Sequence, residues 1–308
     1  MSYKMNSKIE TKMVRMVRVM LAVFLIWGSG CRPSPLGEEA TWGNDKEHSP
    51  NLAAKSSVHA DSLIRIQNAQ AMEHVAGASY RPFYGKDSAL VYVDAFEMDA
   101  LPVTNAQFLR FVHLHPEWRK SAVTQLVADE TYLSHWKADE NLMPNVSPDA
   151  PVTNVSWFAA KSYCACMDKR LPSIDEWERA GMADATSEDA RRKPEYYRAL
   201  LAWYEKPVPT SLPAVGQNPP NIWGIQDLHG LVWEWTSDFN SVMISGESRK
   251  DAKVDDRGLF CSGGAVGVND LTNYAAFMRF AFRGSLKARY TLRNLGFRCA
   301  RSVVPDML

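Results

Sequence analysis

The richest concentration of chemically capable side chains in this 308-residue chain lies at residues 218–238. It holds Trp223, Trp233 and Trp235, the turn-forming Gly224 and Gly230, and the ionisable Asp227, His229, Glu234 and Asp238. Carboxylates and an imidazole are metal-ligand chemistry, and this composition fits neither an ordinary strand nor an ordinary helix. Further on, Arg279 and Arg283 stand four residues apart. They share a face whether the segment is strand or helix, so they can grip a carboxylate or peptide backbone together. The competing reading is an ion pair with Asp270 or Glu234. His113, His115 and His135 would be a metal cluster only if they converged, but residues at i and i+2 on a helix point apart, which favours the surface. His229 reads as a structural residue of its turn. No zinc-protease helix, nucleophile elbow or phosphate-binding loop is present.

The elements that must position these groups begin after a leader. Lys4, Lys8, Lys12, Arg15 and Arg18 precede a short apolar run at 19–27, too short to span a bilayer by itself. Gly28, Ser29 and Gly30 then lead to Cys31, a pattern similar to a bacterial lipobox, although Gly28 stands where that motif prefers Leu. Residues 1–30 are therefore expected to be a lipoprotein-type signal peptide and Cys31 the lipidated residue. Ordinary cleavage nearby and an uncleaved anchor are the alternatives. Residues 31–65 are polar and rich in Pro, Gly, Ser and charge, as in a flexible tether. Residues 66–308 then form one domain. The expected location is that of an exported bacterial lipoprotein, on the periplasmic face or at the outer membrane, held to the membrane by its acylated N-terminus.

The formal net charge is zero, and removing the five basic residues and Glu10 of the leader leaves 30 Lys/Arg against 34 Asp/Glu. Such a domain has no electrostatic reason to bind nucleic acid. Export implies an oxidising compartment, where Cys164, Cys166, Cys261 and Cys299 allow two disulfides in three pairings.

Within the domain, alternation over residues 90–98 predicts a strand. Thr104 or Asn105 caps a helix through Val112, and Asn154 or Ser156 caps another from Phe158 to Met167. Ser173 with Glu176 forms a capping box for a third. Residues 184–194 read as a surface insertion, and the remainder as irregular chain with a few strands. Two or three helices among much irregular chain make an α+β domain.

Several of these segments resemble one known family. They are Phe96-Glu97-Met98-Asp99 with Pro102-Val103-Thr104-Asn105; residues 151–157; Tyr163-Cys164; Arg170-Leu171-Pro172 with Glu176-Trp177; residues 221–235; and Asn294-Leu295-Gly296-Phe297-Arg298-Cys299. In this order they are similar to the formylglycine-generating enzymes, or sulfatase-modifying factors. Residues 230–241 and 277–288 resemble, within it, nitrite-reductase accessory proteins. The resemblance implies a loop-rich variant of the C-type lectin fold and a disulfide between Cys164 and Cys299. Cys166 and Cys261 are then left as buried thiols or a second disulfide, with Cys261 as metal ligand or redox thiol the functional alternative.

The resemblance also places Cys261, Asn269, Asp270, Arg279 and Arg283 in the family's cleft, and two departures bear on its chemistry. The family binds copper through two Cys five residues apart. Counted forward from Gly263-Gly264 those positions hold Val268 and Asn273; counted back from Cys299 they hold Asp270 and Ala275. Neither register offers a thiolate for Cu(I). Leu231 replaces an Asn that helps bind calcium, leaving Glu234 either as a depleted calcium ligand or as a carboxylate held by hydrogen bonds. The expectation is an accessory or binding protein with a protein or peptide partner, of which an exported metalloenzyme such as a nitrite reductase in maturation is one class. Two alternatives stand beside it: an oxidoreductase with a rebuilt mononuclear site using Asp270, Cys261 or a His, and a structural or glycan-binding lipoprotein.

Overall fold

The computed structural model describes residues 68, 70–82, 90–240 and 271–303, with backbone alone at 271–274 and 277. The leader, the tether, Cys31, Cys261, Asn269 and Asp270 lie outside the described residues. No helix among the described residues is long and apolar enough to cross a membrane.

Short strands and capped helices are held together by long loops. β1 (Met72–Val75), β4 (Phe96–Asp99) and β9 (Ala300–Ser302) form an antiparallel sheet in the order β1-β4-β9. Met72 faces Asp99, and Met98 faces Ala300, so the two ends of the domain meet on one central strand. β2 (Ala78–Tyr80) pairs with β3 (Val91–Val93), and β5 (Trp136–Ala138) with β6 (Asn141–Leu142), both antiparallel. β7 (Trp233–Glu234) runs parallel to β8 (Leu295–Gly296).

The single strand expected over 90–98 is two strands in different sheets. Asp94 and Ala95 form the corner, against which Gly77 packs so closely that a Cβ there would lie 2.8 Å from the Ala95 nitrogen. The alternation continues through the corner in sequence, which is why pattern alone does not show the break.

The three predicted helices form with their caps resolved. Thr104, not Asn105, caps α1 (Asn105–Leu114) in a box with Gln107. Asn105 is instead buried, donating to the Ser147 and Ala150 carbonyls and accepting from Trp136 Nε1. Ser156 caps α2 (Trp157–Cys166), while Asn154 takes a left-handed φ of 52°. Ser173 and Glu176 form the capping box of α3 (Ile174–Gly181). Two further helices correct the expectation of irregular chain beyond Ala180: α4 (Pro194–Tyr204), with Pro at its start, and α5 (Leu271–Ser285). They pack through Tyr197, Leu200 and Ala275. Five α-helices are thus present among the described residues.

One core lies under β1 and β4, where Val75, Phe96 and Met98 meet Trp177, Ile225 and Leu228. A second is aromatic: Phe108 contacts Phe111, Trp136, Tyr163 and Phe297. Cys164 on α2 is joined to Cys299 by a disulfide across a sequence separation of 135. Cys166 is buried on the same helix.

Candidate functional site

The tryptophan-rich segment is shaped by backbone conformations that its residue types permit. Asp227 adopts φ 58° and Gly230 φ 97°. Asp227 is buried, and its carboxylate accepts from the Gly216 N–H and from Asn218 Nδ2, fixing the turn that feeds β7.

β7 then turns Glu234 inward. Glu234 Oε1 accepts from Arg298 Nε at 3.0 Å and Nη2 at 2.9 Å; Oε2 accepts from Arg298 Nε at 2.9 Å and Trp177 Nε1 at 2.8 Å. Arg298 spends its other donors on the carbonyls of Asp99, Ala100 and Gln226. Both side chains are wholly buried. Glu234 is therefore a carboxylate held by hydrogen bonds, and its oxygens face cationic and indole donors rather than a set of oxygen ligands for calcium. Nearby, Asp99 accepts from Lys169 Nζ at 2.5 Å and from the Cys299 N–H. Burial raises the Asp99 carboxyl, against the pull of Lys169.

Arg279 and Arg283 lie on a helix, α5; Glu234 is taken by Arg298 and Trp177, and Asp270 lies outside the described residues. The common partner of the two arginines is Glu178 of α3. Oε1 of Glu178 accepts from Arg279 Nε at 2.9 Å and from Arg283 Nη1 at 2.6 Å, and Oε2 from Arg279 Nη2 at 2.7 Å. Arg279 Nη1 also reaches the Tyr204 hydroxyl at 3.3 Å and the Ala275 carbonyl at 3.4 Å. All three charged residues are buried. Burial pushes the Glu178 carboxyl up, but the attraction of Arg279 and Arg283 outweighs it and holds the group far below the usual carboxylate range.

Aromatic rings surround this triad. The Arg283 guanidinium lies over the Trp177 ring, 4.7 Å from its centroid. Trp233 stacks on Phe282 at 4.6 Å and on Tyr204 at 5.2 Å, and packs against Trp203. His229 meets the edge of Trp177 at 5.3 Å. Its Nε2 lies 2.8 Å from the Gly181 carbonyl, to which the Tyr196 hydroxyl also donates. A proton on Nε2 satisfies that carbonyl and leaves Nδ1 without a partner among the described residues. Burial first, and then the charge of Arg279, pull the His229 imidazole down to about 4, so it is neutral near pH 7. The arrangement can bind, orient and exclude water; the groups that meet here are a clamped guanidinium pair and stacked rings.

The other histidines disperse. His113 is exposed and pairs with Glu140, His115 lies beside Glu117, and His135 contacts Asn105. Among the described residues no three His, Cys, Asp or Glu side chains are grouped to hold a metal ion. At one of the two positions expected for a copper thiolate, Ala275 is fully buried within the α4–α5 apolar cluster. A methyl group there has no metal-ligand chemistry, so the residues present do not fit a two-thiolate copper site.

Sequence reasoning missed Glu178, Trp177 and Tyr204 as members of this site. Glu178 lies 101 residues from Arg279, and no local pattern links them. The available signal was Glu176-Trp177-Glu178, which places a second carboxylate beside a Trp on one helix.

A model of the sulfatase-modifying factor enzyme 1-like domain matches residues 54–303. The Formylglycine-generating enzyme of Bos taurus is 30% identical over 257 residues, covering 70% of this chain and 68% of that protein. The Inactive C-alpha-formylglycine-generating enzyme 2 of Mus musculus is 28% identical over 248 residues, covering 69% and 77%. Among solved structures, that of CarF aligns at a TM-score of 0.42 and 16% identity over 77% of this chain and 100% of that one.

Proposed function

Since the chain belongs to the sulfatase-modifying factor enzyme 1-like domain family, we propose that it is a binding or accessory member that has lost the copper chemistry of the formylglycine-generating enzymes. One observation carries this reading: no cysteine stands between Cys261 and Cys299, where the family's thiolate pair falls. Fold alone does not supply activity; the site does. A mouse relative named as inactive is comparably similar to this chain, which is consistent with loss of activity on a retained scaffold.

The proposed setting is outside the cytoplasm, with the domain tethered through residues 31–65 and a lipidated Cys31. The proposed partner is a protein or peptide, of which an exported metalloenzyme under maturation is one class. The half-buried rings of Trp203, Tyr204, Trp233 and Phe282, beside the buried Arg279–Arg283 pair, are the proposed contact region. Metal analysis of the purified full-length protein tests the reading. The expected result is no stoichiometric redox metal. A stoichiometric copper or iron that is lost in Asp270→Ala or Cys261→Ala would replace it with an oxidoreductase.

A further inference from the structure

We draw no further inference here: the strongest candidate, the buried Arg179 of α3 stacked on Trp223, whose Nε and indole Nε1 have no hydrogen-bond partner among the described residues, carries nothing, because its guanidinium is already paired with Glu188 of the adjoining loop and nothing in the structure shows room for a ligand beside it.

Discussion

Glu178 holds two guanidinium groups, so the effect of removing it is set by what it leaves behind. Glu178→Gln strands Arg279 and Arg283 in a buried site and should destabilise the protein by about 3–5 kcal/mol, measured by urea denaturation at pH 7. The pH dependence follows from the depressed carboxyl. A group whose folded pKa lies below its unfolded value stabilises above the unfolded pKa and loses that stabilisation as pH falls, so the Glu178 contribution should fade below the ordinary carboxylate value of 4.5. His229 acts in a higher window. Its imidazole is lowered from 6.5 to about 4, so unfolding takes up a proton between those values and stability falls as pH drops from 6.5 towards 4. His135 is lowered to about 4 in the same way. Replacing His229 by Gln should therefore flatten part of the stability–pH slope in that window and leave the slope below it; an unchanged slope would contradict the buried neutral imidazole. At this scale the sequence was partly legible. Arg279 and Arg283 were recognisable as a same-face pair, and Glu234 as a candidate for hydrogen bonding once Leu231 was noticed. Their partners were not, because ion pairs across 101 or 64 residues leave no local pattern.

Elements announce themselves when their end signals are local. The Ser173–Glu176 box is complete within four residues, and the structure reproduces it. Ser173→Ala should lower stability by about 1 kcal/mol, read from the denaturation midpoint. α4 was not legible because no side-chain cap marks its start, and α4 and α5 are held by packing on each other and on Trp233. Propensity is a weak prior where tertiary burial decides. The corner at Asp94-Ala95 was hidden for the converse reason, since an alternation suited to one strand runs through two. Gly296 offers a sharper test at this scale. A Cβ there would lie 2.6 Å from the Val152 carbonyl oxygen, at the close approach that lets β8 pair with β7. Gly296→Ala should displace that pairing, destabilise the protein well beyond an ordinary surface substitution, and shift the amide signals of Trp233 and Trp235. Unchanged amide shifts would show that the strand pair tolerates the methyl group.

The described domain is closed by contacts between distant parts of the chain. β9 pairs beside β4, Arg298 anchors Glu234, and the disulfide ties α2 to the residue just before β9. The chain-entropy argument gives a link of this length a contribution of about 4–5 kcal/mol, so Cys299→Ser should lower stability on that order. These contacts tie the last strands of the domain to its first strands and central helices. We propose that this scaffold binds without oxidising. The direct measurement is incubation of the full-length protein with Cu(I), oxygen, a reductant and a cysteine-containing sulfatase-derived peptide, followed by capture of any aldehyde with an aminooxy probe and mass spectrometry. The prediction is no copper-dependent aldehyde above the protein-free control. Repeated turnover of the peptide cysteine to formylglycine would contradict it.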